Sequence, residues 1–574
     1  MKINIALIVL LFSGILVAQQ PNLVWTAVFD GPMSGNGVDF FQDMVVDNDG
    51  NSYLLCGTKG PASVYDFNIT TVKINPDGVV QWSDTYDGGG TNSGDYPRDI
   101  LFDQNGFIIS IGKLRDNGII AIKYNLDGQV QWTYISPSTN DQAYSATVDN
   151  AGNIYIAGIS RPLQNQSHHD AMIIKLNSDG SQEFRNFYRF YFSPGITYRS
   201  YITQLIWDNF NDLIAVGTFA RSGGNHFSNF VAKYNTSGSE IWRTLLADDS
   251  LYSQASYLNA SVCVDENNNI YAAGCGVHGA YIDYSNYSVS QINNSTGQVS
   301  WFNKLYVGNN GSNYVKSILV DKNGLVYLSG ISRLIGQNWG QVIIQFNSTT
   351  GDTIKSKFIS NIGYVALNQT PNSYYTYNDM IIDNQNNIYF ASPFFELQRQ
   401  LRKFNQNLDT LFTMEIPGAF LGTNADLIWI DRHQTTILKN EDGVINFGSS
   451  GISVAPLGDT LDCLTAKLTE NTSSVENTSS ENRMNYNLEQ NYPNPFNPGT
   501  IISWQSPVGS HQTLKVYDVL GNEVATLVDE FKEAGRYDIE FKSSIGGHQL
   551  ASGIYLYKLQ AGSFVETRKM LILK

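Results

Sequence analysis

The sequence predicts an all-β protein: an eight-bladed β-propeller, with seven blades as the alternative count, followed by a small Ig-like β-sandwich. Three observations carry that reading. Charged residues make up only 15% of the 574-residue chain, and Tyr, Phe, Asn and Gly are abundant where Lys and Glu would otherwise sit. Aromatic side chains favour pleated surface, and Asn and Gly accept the positive φ of tight turns. Second, one pattern recurs: an apolar run, Asp-x-x-Gly/Asn, another apolar run, then a second hairpin bearing Lys-x-Asn and an aromatic. Third, the last copy lacks its fourth strand, while a spare strand of that type stands ahead of the first copy.

The clearest copy reads Val148-Asp149-Asn150-Ala151-Gly152-Asn153-Ile154-Tyr155-Ile156-Ala157-Gly158. Its second half is Ile173-Ile174-Lys175-Leu176-Asn177-Ser178-Asp179-Gly180, followed by Phe184. The leading position recurs at Asp47, Asp103, Asp149, Asp208, Asp265, Asp321, Asp383 and, degenerately, Asn440, with gaps of 56, 46, 59, 57, 56, 62 and 57 residues. A period this long with four strand signals per copy indicates propeller blades rather than a solenoid. The Asp caps local N–H groups and the Gly or Asn supplies the left-handed turn residue. Each turn offers one carboxylate, so it reads as structural rather than as a calcium site. The second half-motif recurs at Lys73, Lys123, Lys175, Lys233, Gln291, Gln345, Lys403 and Lys467. The spare strand, Leu23 to Phe29 with Trp25, matches Val80 to Tyr86 with Trp82. Joining it to the last copy closes a ring and removes two open sheet edges. The repeat resembles the bacterial β-propeller family with an Asp-x-x-Gly-Asn-x-Tyr signature, the seven-bladed β-propeller (SBBP) repeats, although eight copies are counted here.

The ends of the chain carry addresses. Met1-Lys2, an apolar run from Ile3 to Val17 and Ala18 predict a signal peptide over residues 1–18, too short to span a bilayer. No later run reaches transmembrane length. Residues 19–468 hold the propeller. From 469 to 485 the composition becomes Thr, Glu, Asn and Ser, which predicts a flexible linker. Residues 486–574 then alternate apolar and polar in short runs, including Leu514–Val516, Val524–Leu527, Tyr537–Phe541 and Ile554–Leu559, the pattern of a small sandwich.

This last segment contains Tyr492-Pro493-Asn494-Pro495-Phe496-Asn497-Pro498, Asp518-Val519-Leu520-Gly521-Asn522, Ala534-Gly535-Arg536-Tyr537 and Ala551-Ser552-Gly553-Ile554-Tyr555. It closes on Lys569-Met570-Leu571-Ile572-Leu573-Lys574. It resembles the type A sorting domain of the type IX secretion system. The resemblance implies a sorting signal in Lys569, Met570, Leu571, Ile572, Leu573 and Lys574. It also implies the secretion machinery and its sortase as partners, and a secreted or outer-membrane-surface location in a Gram-negative, Bacteroidota-like bacterium.

Candidate chemistry is sparse. A net charge of −16 argues against a nucleic-acid footprint, which needs a basic face. Cys56, Cys263, Cys275 and Cys463 lack metal-ligand spacing and read as buried small hydrophobes; pairing Cys263 with Ala272 leaves a Cys263–Cys275 disulfide as the alternative. The Gly-rich stretches Asp30 to Asp39 and Asp87 to Asp95 lack the nonapeptide period of calcium β-rolls. His168-His169-Asp170 reads as solvated surface. Asn75-Pro76-Asp77-Gly78-Val79-Val80-Gln81-Trp82 resembles the sialidase Asp-box turn, but its Gly follows Asp one position early. No serine-hydrolase elbow, zinc-protease motif or P-loop occurs, so no catalytic, cofactor or metal residue is nominated. The expectation is a monomeric, non-catalytic binding or adhesion module, with a glycan or surface polymer as candidate ligand. A structural matrix component and a secreted glycan hydrolase or lyase are the alternatives.

Overall fold

The computed structural model describes residues 20–32, 39–60, 66–89, 94–115, 117–160, 169–189, 198–221, 227–246, 260–277, 285–305, 313–333, 339–360, 380–391, 398–420, 435–439, 443–455 and 458–470 of the longer region. Nearer the C-terminus it describes 487–488, 491, 494, 496–506, 510–519, 521–532, 535–545, 548–561 and 564–572. The expected signal peptide and all but the first two residues of the expected linker lie outside these ranges. Two compact units emerge, Met1–Thr472 and Ser473–Lys574.

The tight turns are built by their side chains. Asp149 Oδ1 accepts the N–H groups of Ala151 at 2.9 Å and Asn153 at 2.8 Å, while Asn153 Nδ2 donates to Asp149 Oδ2 at 2.8 Å. Gly152 closes the turn with φ 79°. Where the motif lacks Gly, Asn211, Asn268 and Asn386 take the same left-handed conformation at φ 63°, 65° and 61°. Each turn joins the first two strands of a four-stranded antiparallel sheet.

Seven such sheets follow in chain order over residues 40–86, 96–135, 142–188, 198–246, 260–305, 313–360 and 380–420. The eighth combines Thr435–Lys439, Val444–Ala455 and Gly458–Thr469 with Asn22–Phe29 from the start of the chain. Repeated four-stranded sheets of this kind are arranged in the manner of propeller blades. The middle strands are buried, as in Ile154–Ser160 and Asp170–Leu176, whereas fourth strands are partly exposed, as in Asn22–Phe29, where exposed and half-buried residues alternate. Neighbouring sheets share apolar cores, and the first shares one with the last: Phe41, Met44, Leu54 and Val72 pack with Cys463, Trp25 and Phe29.

A latch recurs between sheets. The fourth-strand indole donates its N–H to a carbonyl in the following sheet's last turn: Trp25 to Pro76 at 2.7 Å, Trp82 to Leu126 at 3.0 Å, Trp132 to Ser178 at 3.1 Å, Trp242 to Asn294 at 2.7 Å and Trp301 to Ser348 at 2.7 Å. In each of these turns a Gly with positive φ lies beneath the indole, so that a Cβ would stand 2.5 to 2.9 Å from the ring at Gly78, Gly128, Gly180, Gly297 and Gly351.

The sequence-based pairing of Cys263 with Ala272 is off by one. Cys263 faces Tyr271, because Asp265 to Asn269 form a five-residue turn and Val264 pairs with Ile270. Cys275 lies opposite Tyr287, and no disulfide joins the four cysteines. Ordered structure also runs into the expected linker: the Gly458–Thr469 strand includes Thr469, and the Glu470 N–H donates to Gly443 O at 2.9 Å.

The second unit packs a three-stranded sheet of Asn487–Leu488, Gly499–Ser506 and Gly535–Lys542 against a four-stranded one. The latter runs Glu523–Lys532, Ser510–Tyr517, Gly553–Ala561 and Phe564–Ile572 in spatial order. Leu488, Ile502, Trp504 and Phe541 from one side meet Leu514, Val516, Tyr557, Met570 and Ile572 from the other in a single core. All four apolar runs singled out in the sequence lie within strands.

Candidate functional site

The C-terminal residues Lys569 to Ile572 are not a free tail. They complete the edge strand Phe564–Ile572, paired along its inner side with Gly553–Ala561. Alternation sends Met570 and Ile572 into the core, while Lys569 is exposed. Leu573 and Lys574 lie outside the described residues. The outer side of this strand end meets the Asn-Pro-rich segment: Asn494 Oδ1 accepts the Leu571 N–H at 2.8 Å, and the Phe496 N–H donates to Leu571 O at 3.0 Å. Phe496 forms a parallel bridge with Ile572, and its ring is buried against Phe541 with centroids 6.0 Å apart. Nearby, Asn491 N donates to Tyr557 Oη at 2.8 Å and Asn491 Nδ2 to Thr500 Oγ1 at 2.9 Å. Two motifs about eighty residues apart thus form one local structure.

The first unit holds a second candidate that motif scanning missed. Its first strands lie side by side, and five carry a bulge at the same level, beside Asp43, Asp99, Ser145, Gln204 and Ser317. A bulge turns two successive side chains out of strict alternation. Polar groups at this level, four of them beside a bulge and Ser261 in a regular strand, tie one sheet to the next. Asp99 Oδ2 accepts from Ala146 N at 2.8 Å, Ser145 Oγ from Leu205 N at 3.2 Å, Gln204 Oε1 from Val262 N at 2.8 Å, and Ser261 Oγ from Ile318 N at 3.3 Å. Gln42 Nε2 donates to Arg98 O at 3.0 Å. Burial, and then the negative charge of Asp43, push the Asp99 carboxyl well above the usual range. The visible signal in the sequence is a polar pair interrupting each apolar strand: Gln42-Asp43, Arg98-Asp99, Tyr144-Ser145, Thr203-Gln204 and Lys316-Ser317.

The other candidates have structural roles where they are described. In the Gly-rich stretches, Asp39 accepts from Gly31 N at 2.5 Å and Lys59 N at 2.8 Å, while Asp95 accepts from Gly88 N at 2.7 Å and Arg115 N at 3.2 Å. Each carboxylate therefore ties together the bases of two connections. Burial raises both carboxyls, Asp39 to about 6. Residues 33–38 and 90–93 between them lie outside the described residues, as does His168. Asp170 binds Arg189 through two bonds, at 2.9 and 2.5 Å, and His169 O accepts from Ser200 N. In the Asp-box-like segment, Asn75 caps a turn closed by Gly78 at φ 83°, and Trp82 is part of the latch. Burial pushes the Cys275 thiol up to about 12 and Cys263 higher still, which keeps both protonated and unreactive. Among the described residues, no three His, Cys, Asp or Glu side chains gather into a metal-sized group.

Comparison with known proteins separates the two units. Residues 490–573 match the family model described as a secretion system C-terminal sorting domain. No curated protein matches the chain. Among solved structures, the chain is similar to PorZ, a bacterial surface component of the type IX secretion system of Porphyromonas gingivalis, at 11% identity and TM-score 0.34, covering 93% of this chain and 75% of that one. It is also similar to a quinohemoprotein alcohol dehydrogenase of Pseudomonas putida HK5, at 10% identity and TM-score 0.48, covering 83% and 79%. A polysaccharide lyase of family PL25, an ulvan lyase, matches at 11% identity and TM-score 0.39, covering 67% and 94%. The segment 490–573 is a type IX secretion C-terminal sorting domain, and it directs the protein to the cell surface or the extracellular space.

Proposed function

We propose that the first unit is an eight-bladed propeller, closed by the Trp25 strand, that serves as a non-catalytic binding or adhesion module outside the cell. The observation that carries this reading is the sorting of its connections between two faces. One face holds the short capped turns, such as 47–51 and 75–79, together with both ends of the ring at Asn22 and Thr469. The long connections between sheets, such as 189–197, 247–259, 361–379 and 421–434, join strand ends on the other face. Variable loops on a rigid scaffold are the usual seat of recognition. Export by the sorting domain would place them before extracellular glycans or other polymers.

In this reading residues 1–18 are a signal peptide, the second unit is an Ig-like sandwich, and residues 569–574 hold the sorting signal read by the secretion machinery and its sortase. A glycan hydrolase or lyase is the second reading, favoured by one observation: the neighbouring carboxyls Asp43 and Asp99, one of them strongly raised. Paired acids with separated acidities suit glycoside cleavage. The bond from Ala146 N to Asp99 matches those to Ser145, Gln204 and Ser261, so the inter-sheet belt accounts for this carboxyl without catalysis.

A polymer array with a reducing-end assay tests both readings on the secreted protein. Retention of a polymer without turnover is the expected result. Turnover that disappears in Asp43→Asn or Asp99→Asn, with the fold intact, would replace the binding reading with the catalytic one.

A further inference from the structure

We propose that Asn494 is a positioning residue of the export signal, holding the C-terminal strand in the form in which it is recognised. The signal is then composite, made from both ends of the sorting domain, rather than a linear tail. This rests on the reading that residues 569–574 are recognised, and goes beyond it by assigning a second element.

The geometry is specific. Phe564–Ile572 is an edge strand, and an edge leaves one row of N–H and C=O groups without a sheet partner. At its last turn Leu571 has both such groups filled, its N–H by Asn494 Oδ1 at 2.8 Å and its C=O by Phe496 N at 3.0 Å. Phe496 is anchored by burial, but Asn494 is exposed, so its side chain contributes through hydrogen bonds rather than through packing: the close one from Leu571 N–H to Oδ1 and a longer one from Nδ2 to Lys569 O at 3.5 Å. The end of an edge strand frays unless something ties it down. Asn494 secures that end at Leu571. Without it, the strand end remains attached through Met570 and Ile572 while its outer face loses its fixed register. A receptor that reads residues 569–574 would then have to order them itself, at a cost in affinity.

The substitutions separate this role from simple stability. Asn494→Asp keeps an oxygen that accepts the Leu571 N–H but loses the Nδ2 donor to Lys569 O; Asn494→Ala removes both. Val516→Ala, in the core and far from the clasp in sequence, serves as the control for general destabilisation. The full chain is expressed in its own export pathway, and exported and periplasmic fractions are compared with the melting temperature of each purified variant. Asn494→Ala should speed amide exchange at Leu571 about fivefold, the loss of one hydrogen bond. It should also lower export several-fold, more than Val516→Ala at an equal or larger loss of melting temperature. Asn494→Asp, which retains the Leu571 acceptor, should export better than Asn494→Ala. Normal export of Asn494→Ala, or a loss no greater than stability explains, overturns the clasp. A chain lacking Leu573 and Lys574 is run in parallel. If it exports normally, the terminal-signal reading falls; if it is blocked while Asn494→Ala is exported, only the clasp falls.

Discussion

The indole of Trp25 lies over Gly78 and donates to the carbonyl of Pro76, joining a strand of the eighth sheet to a turn of the first. The same contact links Trp82 to Gly128, Trp132 to Gly180, Trp242 to Gly297 and Trp301 to Gly351. The junction between the two ends of the array is therefore made like the junctions within it.

Trp25→Ala should accordingly destabilise the protein by about 3–5 kcal/mol, through lost ring burial and a turn carbonyl without its donor. Val24→Ala is the control, because Val24 lies in the same strand with about half of its surface exposed, 51%. Thermal melts of both variants decide the matter. Equal midpoints would mean that the closing strand contributes little.

Among the junctions without an indole, one differs at both of the paired positions. Lys355 stands where the indole is expected, and Leu408 occupies the left-handed turn position at φ 58°. With no indole overhead, the turn accommodates a side chain, and Lys355 and Lys357 donate instead to the carbonyls of Asn407 and Leu408. Lys355→Trp alone should destabilise by about 1–3 kcal/mol through overpacking. Combined with Leu408→Gly it should cost less than the two single changes together, with a favourable coupling of about 1 kcal/mol in a double-mutant cycle. Strict additivity would dissociate the two positions.

The turns were legible because each is decided locally, by an Asp acceptor, a left-handed Gly or Asn and a flanking apolar strand. Asp518 and Asn522 build the same turn in the sorting domain as Asp149 and Asn153 in the repeat, with matching bonds of 2.9 and 2.8 Å. Register was less legible: a change of one residue in the span of the Asp265 turn moves Cys263 between Tyr271 and Ala272, and the apolar pattern on either side does not fix that span. The inter-sheet belt was hidden for a different reason. Ser145 and Leu205 are sixty residues apart, and only the bulge brings the hydroxyl within reach of that N–H. The bond between Asn494 and Leu571 likewise spans 77 residues, so neither motif reveals by itself what the other does.

Asp39 should make stability depend on pH. Its carboxyl titrates near 6 in the fold against 3.8 when solvated, because burial outweighs the two N–H donors. Between these values the folded chain holds more protons than the unfolded one, so stability falls as pH rises. The contribution is complete below about 3.8 and lost above about 6, and amounts to at most about 3 kcal/mol. Asp39→Asn cannot titrate. The stability of the parent relative to that variant should therefore decline from pH 4 to pH 7. A flat difference would show that the two donors offset burial.

Glu470 supplies at the end of the sheet array what turns supply elsewhere. In earlier sheets a third-strand Lys or Gln donates to a carbonyl in the next sheet's last turn, as Lys73 does to Leu126 O at 3.0 Å, Lys123 to Ser178 O at 3.1 Å and Gln345 to Gln406 O at 2.7 Å. The eighth sheet has no such turn, because its fourth strand comes from the start of the chain. There the Glu470 carboxylate receives Lys403 Nζ at 2.8 Å and the Tyr389 hydroxyl, whose acidity is suppressed by burial and by this contact. Lys403 is largely enclosed, and its other carboxylate, Asp383, is 3.8 Å away. Glu470→Ala should therefore cost about 1–3 kcal/mol, with Glu470→Gln recovering part as a neutral acceptor. A chain ending at Thr472 should melt like the first unit within the full-length protein, and one ending at Thr469 several degrees lower. Equal melting of the two truncated chains would show that the carboxylate is dispensable and that the first unit is complete at Thr469.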